Sequence, residues 1–150
     1  MALKGDRDVL QTDISYFLNE TAEKGQVVSI STQGSGAAMD NSSALATVAA
    51  EASGATPLGV VLNDVVNIDQ TRQHINWHKD EVQQGGKITI LTKGTVVTDQ
   101  ISGTPTAGQT AYCADAGLIA GTQDGTALAI GRFLSTKDAD GYAKVAVNLP

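Results

Sequence analysis

The sequence Gln84-Gly-Gly-Lys-Ile-Thr-Ile-Leu-Thr-Lys-Gly-Thr-Val-Val-Thr98 has two β-branched runs, and a glycine precedes each of them. β-Branched side chains pack well on a pleated backbone, whereas Gly85-Gly86 supplies a break that no side chain restricts. The pattern therefore predicts a central β-hairpin or a bent pair of strands. Nothing in it is chemically reactive, which favours a protein that works through its surfaces.

Short strands joined by turns are predicted along most of the remaining chain. The 16 glycines and the many small polar residues favour turns over long helices. Lys24-Gly-Gln-Val-Val28 and Lys93-Gly-Thr-Val-Val97 suggest two equivalent corners from turn to strand. Strands are predicted at Val27–Ser31, Leu58–Ile68 (with a bulge or tight turn at Asn63-Asp64), Gln109–Cys113, Leu118–Ala120, Ala127–Ser135 and Tyr142–Asn148.

The last predicted strand alternates cleanly between two faces. Such an alternation is typical of a half-buried strand. Tyr142, Lys144, Ala146 and Asn148 share one face, and Ala143, Val145 and Val147 share the other.

The predicted fold class is all-β, mainly a small β-barrel or β-sandwich-like domain over residues 23–150. A chain of 150 residues fits one domain, and a hydrophobic content of 41% is sufficient for a core. Ala44–Ala52 could be a short helix on propensity or a strand of closely packed small residues, and the helix is preferred. At most one short helix is expected.

Residues 1–22 differ in character from the rest of the chain. Charged residues are frequent in this segment, and its main apolar cluster consists of Ile14 and Tyr16-Phe-Leu18. We expect an extended N-terminal arm that buries this cluster only when it lies on a partner. The alternative is a short helix or an edge strand that caps the protein's own barrel.

Charge and cysteine content exclude several classes of function. The formal charge of −6, with ten scattered Lys and Arg residues, argues against nucleic-acid binding through phosphates. The single Cys113 excludes an intrachain disulfide and a cysteine-based zinc cluster, and we expect it to be buried. No apolar run approaches a membrane span, and the N-terminus does not resemble a signal peptide.

The connector at residues 69–83 holds the residues with the most chemical interest. His74 and His78 are spaced i, i+4, and with Glu81 they could hold a metal in a small metal-dependent β-barrel enzyme. However, Ile75 stands where a His-Glu-x-x-His motif has glutamate, and no helical apolar stripe flanks the pair. We therefore predict no catalytic, cofactor-binding or metal-binding residues. Trp77 is expected to plug the barrel end or to anchor a protein interface.

The order of these elements resembles the small head decoration (cement) proteins of tailed bacteriophages. The resemblance covers residues 23–149 and rests on pattern, because no residue-level motif carries it. It is seen in Lys24–Val28, the Ala-rich segment leading to Pro57–Leu62, Gly86–Val97, Thr106–Tyr112, Ile130–Phe133 and Asp140–Val147.

The resemblance implies a non-enzymatic structural protein of the virion, often a trimer, on the outside of the capsid. Such proteins clamp neighbouring major capsid proteins, frequently with an N-terminal arm. The expected partners are thus the major capsid protein and further copies of this chain, without nucleic acid, membrane or cofactor. Before assembly the chain is expected in the host cytoplasm. The expected contact residues are Leu10, Ile14, Tyr16, Phe17 and Trp77. The alternative is a tail, baseplate or receptor-binding β-domain.

Overall fold

The computed structural model describes residues 3–4, 7–31, 45–64, 81–82 and 87–149. These residues form strands and one 3₁₀ turn at Asp115–Gly117, so the predicted all-β class is confirmed. The strands are β1 Asp8–Asp13, β2 Phe17–Leu18, β3 Ala22–Glu23, β4 Val27–Ile30, β5 Leu45–Thr47, β6 Pro57–Asp64, β7 Glu81–Val82, β8 Ile88–Thr98, β9 Ile101–Ser102, β10 Thr110–Cys113, β11 Ile119–Ala120, β12 Ala129–Phe133 and β13 Ala143–Asn148.

The long strand β8 has three antiparallel neighbours. Ile90 and Leu91 pair with β6 and also with β1. Further along, residues 93–95 pair with β13 and again with β1. Because a strand has only two edges, β1 must follow one edge of β8, while β6 and then β13 share the other edge.

Two hydrophobic cores lie on opposite faces of β4, β6 and β8. Adjacent residues such as Val27 and Val28 are both fully buried, but they belong to different cores. This double burial explains the continuous apolar runs of these strands. Core A contains Leu3, Val27, Ala52, Val60, Leu62, Leu91, Val96, Ile101, Ala111, Cys113, Ile119, Ala127, Ile130, Phe133, Ala143, Val145, Val147 and Leu149. Core B contains Leu18, Ala22, Val28, Ala46, Val61, Val82, Ile88 and Ile90.

A β-bulge at Thr92 allows both halves of β8 to contribute to core A. The pairing with β1 passes over Thr92, which is therefore an extra residue in β8. The extra residue shifts the alternation, so Leu91 before it and Val96 after it both reach core A. In the second half of β8, Lys93 and Thr95 consequently face away from core A.

The large sheet curls around core A, but its two end strands are not hydrogen-bonded to each other. Its strand order runs from β2 through β5, β4, β6, β8, β13, β12, β10 and β11 to β9, and the described strands at the two ends do not pair with each other. Loops bridge the gap instead. The Ala116 N–H donates to the Ala49 carbonyl oxygen at 2.9 Å, and the Ala52 N–H donates to the Asp115 carboxylate at 2.8 Å. The predicted barrel is thus not confirmed, and the domain is a curled open sheet.

The predicted hairpin at residues 84–98 is wrong, because Ile88–Thr98 is one strand. Gly94 lies in the middle of this strand with φ 148°, where a Cβ would collide with the Asp8 carbonyl oxygen. The glycine therefore admits the close approach of β1 and does not form a turn. The alternative of a bent arrangement agrees with the bulge at Thr92. Gly85-Gly86 lies outside the described residues.

The preferred helix at Ala44–Ala52 is also wrong. Leu45–Thr47 is the short strand β5, which pairs with β2 on one side and with β4 on the other. Ala46 is fully buried in core B, so its small side chain suits a closely packed strand. Ladder hydrogen bonds and burial here outweigh the helix propensity of alanine.

The other predicted strands are confirmed within the described range. β4, β10, β11, β12 and β13 lie where the pattern placed them, and β6 covers the first part of the predicted Leu58–Ile68 strand. A register shift between Val61 and Asn63 agrees with the predicted irregularity near Asn63-Asp64. No helix in the described residues has the length and hydropathy to cross a membrane.

Candidate functional site

The start of the N-terminal segment is anchored beside β8. The Leu3 side chain is only 6% exposed and belongs to core A. The Lys4 N–H donates to the Val97 carbonyl oxygen at 2.9 Å. The Lys4 ammonium lies 4.4 Å from the centroid of the Tyr142 ring, a cation–π contact with the turn before β13.

The far end of the same segment is anchored at the beginning of β8. The Ile88 N–H donates to the Tyr16 carbonyl oxygen at 3.2 Å. Leu18 is 1% exposed in core B, and the Phe17 ring centroid lies 5.6 Å from the Lys87 ammonium. Within the described part of this segment, Asp8–Asp13 pair with β8 as an edge strand of the protein's own domain. A role of this segment as an arm on a partner stays a prediction.

Between the two anchors, the segment presents apolar side chains to solvent. Leu10 is 74% exposed, Ile14 51% and Val9 44%. Leu10 is exposed because it is a bulge residue: Val9 pairs with Gly94, Gln11 pairs with Lys93, and Leu10 has no partner. No strand among the described residues pairs with the outer edge of β1.

A local turn fixes the chain around Ile14. The Asp13 carboxylate accepts hydrogen bonds from the Ser15 N–H at 2.8 Å and from the Ser15 hydroxyl at 2.6 Å. This arrangement is an Asx-turn, in which an Asp side chain accepts a hydrogen bond from the backbone two residues later. It is a stable local motif. Ile14 is therefore held in an exposed position between β1 and β2.

The five predicted contact residues have different positions. Ile14, Tyr16 and Phe17 follow one another at the β2 end of the segment, whereas Leu10 lies in the middle of β1. Tyr16 and Phe17 are half-buried, and Tyr16 packs against core B. Trp77 lies outside the described residues, as do His74, His78 and the Glu81 side chain of the possible metal site.

Sequence reasoning missed a polar face on the large sheet, on the side away from core A, which we call the outer face. Directly paired residues of an antiparallel ladder lie on the same face, so the pairings define a row across neighbouring strands. Neighbours of these residues along each strand, such as Val96, Ala111 and Val145, point into core A. The row consists of Asp8 on β1, Thr95 on β8, Ala146 on β13, Arg132 on β12 and Thr110 on β10. Only the alternation in Tyr142–Asn148 signalled this face.

A shallow groove of about 420 Å³ lies on the outer face. Its floor contains the small residues Ala129, Gly131 and Ala146. A side chain at position 131 would collide with the Ala146 carbonyl oxygen. Leu134 at its edge is 45% exposed, and Arg132 is exposed as well. The residues that line it are Thr110, Ala129, Gly131, Arg132, Leu134, Ala146 and Asn148.

Glu51, Asp115 and Asp124 form an exposed acidic cluster where the loops bridge the open sheet. Their carboxylate oxygens all lie within 4.8 Å of one another. The sequence did not signal this cluster, because its members come from three separate loops. Exposed acidic groups often lie this close at a loop junction, and the arrangement alone defines no function.

Cys113 is 2% exposed and lies in core A, so the predicted buried cysteine is confirmed. Burial raises the pKa of its thiol, and the nearby Asp115 charge acts in the same direction. Because a thiolate is the reactive form, this environment favours an inert side chain.

These features define an all-β protein whose described surface carries exposed apolar side chains on the N-terminal segment and a polar groove on the large sheet. The family model described as structural cement protein (E217 gp24/Pam3 gp6) matches residues 8–148. The chain therefore belongs to this phage structural cement family, and the resemblance seen in the sequence is confirmed. Family membership implies a structural role in the phage virion, in association with the capsid. A comparison with curated proteins gave no match.

Proposed function

We propose that this chain binds the outer surface of a phage capsid and stabilises the shell by clamping adjacent major capsid proteins. It acts without catalysis and without a cofactor, as part of the virion, after a period in the host cytoplasm. The family match supports the capsid association. The clamping rests on the geometry of the N-terminal segment.

One observation carries the proposal: the segment is anchored at both ends and exposes apolar side chains between the anchors. If Leu10 and Ile14 lay on a flexible tail, that tail would lose conformational entropy when a partner bound these side chains. Here hydrogen bonds and packing already fix the backbone on both sides, so much less entropy is lost when a partner covers these side chains. Full burial of a fully exposed leucine or isoleucine contributes about 1.5–3 kcal/mol. Leu10 is 74% exposed and Ile14 51%, so each contributes the corresponding fraction when a partner covers it.

The free edge of β1 offers a second means of attachment. Its outward N–H and C=O groups can pair with an extended segment of a partner chain. The Leu10 bulge and the charged Asp8 and Asp13 at the strand ends discourage unspecific pairing. A capsid protein segment that matches this pattern would bind across a capsomer junction.

Capsid binding by the chain is tested with Ile14→Asp, and then with Leu10→Asp. Both positions are exposed, so the variants should keep the fold while placing a charge in the contact. We expect occupancy on expanded capsids, measured by co-sedimentation, to fall at least about tenfold for each variant. Thermal disassembly of the decorated shell should shift to lower temperature in parallel.

Leu128→Asp is the matched control, because Leu128 is 49% exposed but lies outside the N-terminal segment. This variant should decorate capsids like the wild type. Full occupancy by Ile14→Asp and Leu10→Asp would contradict the proposed contact. A labelled copy should appear on the head of the virion, and a signal on the tail would favour a tail, baseplate or receptor-binding domain.

The proposal includes assembly of several copies, with the trimer that the family resemblance implies as the expected state. Many copies on one shell would add weak contacts into a strong overall attachment. Solution mass with and without capsids measures this state. Trp77 is retained as a proposed contact residue, and Trp77→Ala tests it in the same occupancy experiment.

A further inference from the structure

Three basic side chains surround Ala146 on the outer face, and we call them the basic cluster. Arg132 pairs directly with Ala146 across the ladder. Lys144 lies two residues before Ala146 on β13, on the same face. Lys93 pairs with Asn148, which lies two residues after Ala146. Arg132 and Lys93 are exposed, and Lys144 is half-buried. All three side chains therefore project from the same side of the sheet.

The register of the ladder sets the spacing of the basic cluster. At roughly 4.8 Å between strands and roughly 3.4 Å per residue, Arg132 and Lys144 are ~8 Å apart, and Lys93 is ~12 Å from Arg132. The cross-strand rows that hold these residues contain a single acidic residue, Asp8. Asp8 can balance at most one of the three positive charges. The rows therefore carry a net positive charge, although the formal charge of the chain is −6.

Lys4 and Asp138 lie at one margin of this face. The Lys4 ammonium lies 4.4 Å from the centroid of the Tyr142 ring, and the charges of Lys4 and Asp138 interact. These two charges offset each other. The basic cluster is therefore the main source of positive potential on the face.

The groove beside the basic cluster has the dimensions of a site for an extended peptide. Its lining runs along the chain from Ala129 to Leu134, a length of ~17 Å at roughly 3.4 Å per residue, which matches about five extended residues. The small residues in its floor allow a peptide backbone to approach closely. Leu134, at 45% exposure, offers an apolar contact, and Arg132 supplies a charge within the groove itself.

We propose that the groove and the basic cluster bind an extended segment of a partner protein that carries acidic residues at alternate positions. Alternate residues of an extended segment lie on one side, roughly 7 Å apart, which is close to the ~8 Å between Arg132 and Lys144. Arg132 can bind one carboxylate through two N–H groups, and Lys144 can bind the next. Lys93 adds to the positive potential that attracts the segment.

The charge distribution favours a short acidic segment of a protein over a nucleic acid. The basic cluster is one patch on a chain whose formal charge is −6. A long polyanion would extend past this patch and meet the negative remainder of the chain, which repels it at separations up to the Debye length of ~8 Å. A segment of about five residues stays within the groove.

This site is separate from the exposed apolar residues of the N-terminal segment, so it goes beyond the proposed capsid contact. Peptide binding to the site is measured without capsids. A failure of this inference is therefore distinguishable from a failure of the proposed function, which is measured by capsid occupancy.

Fluorescence anisotropy with the labelled peptide Ala-Glu-Ala-Glu-Ala-Glu-Ala tests the site on the full chain. Arg132→Glu and Lys144→Glu should each weaken binding at least about tenfold, because each places a like charge opposite the peptide. Lys144→Arg keeps the charge and should keep the affinity. Asp8→Asn removes the opposing charge and should strengthen binding at least about twofold, a gain that misfolding would not produce.

Lys24→Glu is the matched control, since it makes the same charge change at the turn before β4, away from the outer face. It should leave the affinity unchanged. The peptide Ala-Ala-Glu-Glu-Glu-Ala-Ala has the same composition without the alternation and should bind more weakly. A wild-type protein that does not bind the alternating peptide would overturn the proposal. Equal affinity of Arg132→Glu, Lys144→Glu and the wild type, equal affinity for the two peptides, or tighter binding of a single-stranded oligonucleotide of equal charge would overturn it as well.

Discussion

Gly94 lies directly against the Asp8 carbonyl oxygen, and a Cβ at position 94 would collide with that oxygen. The contact joins the N-terminal segment to the centre of β8, the strand that contributes to both cores. A single glycine thus determines whether β1 can lie on the domain. The exposed apolar residues of β1 depend on it for their position.

Gly94→Ala should destabilise the protein and displace β1. The substituted residue would have φ near 148° and would also collide with Asp8, so we expect a loss of about 2–4 kcal/mol in the free energy of unfolding. Urea denaturation measures the loss, and limited proteolysis near Arg7 reports the displaced segment.

Gly103→Ala is the control for this prediction. Gly103 also has positive φ, at 75°, but a Cβ there would meet no atom within 4 Å. Its substitution should cost only the backbone strain, about 1 kcal/mol. Equal losses in the free energy of unfolding for the two variants would show that the collision with Asp8 does not add to the cost of Gly94→Ala.

Leu3→Ala should release the start of the N-terminal segment. The side chain is 6% exposed in core A, and truncation of such a leucine typically costs about 2–4 kcal/mol, with the lower end expected near a chain terminus. We expect faster hydrogen exchange at the amides of β1 before global unfolding begins. Leu10→Ala, at a 74% exposed position, should leave both exchange and stability nearly unchanged. Equal exchange rates in β1 for Leu3→Ala and the wild type would contradict the anchoring role.

The sequence was informative where one local pattern corresponds to one structure. Alternation in Tyr142–Asn148 predicted β13 and its solvent face, and the apolar run at Leu58–Leu62 predicted a strand. Ala44–Ala52 was assigned wrongly because pairing of Leu45–Thr47 with two distant strands outweighs local propensity. The position of Gly94 between two β-branched runs predicts a hairpin or a bend, because the sequence does not show the approach of Asp8, a residue far away in the chain.

The candidate site was only partly predictable for the same reason. Tyr16 and Phe17 were identified by their apolar cluster, and their anchoring contacts with Ile88 and Lys87 depend on long-range pairing. The charged row across the outer face is also invisible in the sequence. It depends on the register of several strands, and Asp8 and Arg132 become related only once that register is set.

Cys113 should be protected from thiol reagents in the folded protein. Its thiol is 2% exposed and its pKa is raised by burial, so both access and thiolate formation are suppressed. We expect negligible reaction with a disulfide reagent at pH 8, and full reaction after denaturation. Rapid labelling of the native protein would contradict the buried position.

The raised thiol pKa also predicts a loss of stability at alkaline pH. Below the pKa of the unfolded state the thiol is protonated in both states, and its contribution to stability is fully present. As the pH rises through the unfolded and then the folded pKa, the unfolded state loses its proton first, so the folded state is progressively disfavoured. Cys113→Ala should remove this part of the pH dependence, which begins above about pH 8. An unchanged alkaline profile in this variant would contradict the assignment.

Asp138 should control the turn before β13 at acid pH. Its carboxylate accepts hydrogen bonds from the Tyr142 N–H at 2.9 Å and from the Asp140 N–H at 3.0 Å. The bond from Tyr142 is the main reason that the pKa of Asp138 is lowered from its usual value near 3.8. With a lowered folded pKa, the stabilisation is present above the unfolded value and is lost as the pH falls through the folded one.

Asp138→Asn should therefore weaken the turn at neutral pH and remove its acid transition, because an amide oxygen accepts these bonds less strongly than a carboxylate. Amide chemical shifts of Tyr142 and Asp140, followed between pH 6 and pH 2, measure the transition directly. The same substitution at Asp140, which does not accept these bonds, should leave the transition in place. Since Lys4 lies over the Tyr142 ring, loss of the turn should also loosen the start of the N-terminal segment, with faster exchange of the Lys4 amide. A transition that persists in Asp138→Asn would assign the acid sensitivity of the turn to another carboxylate.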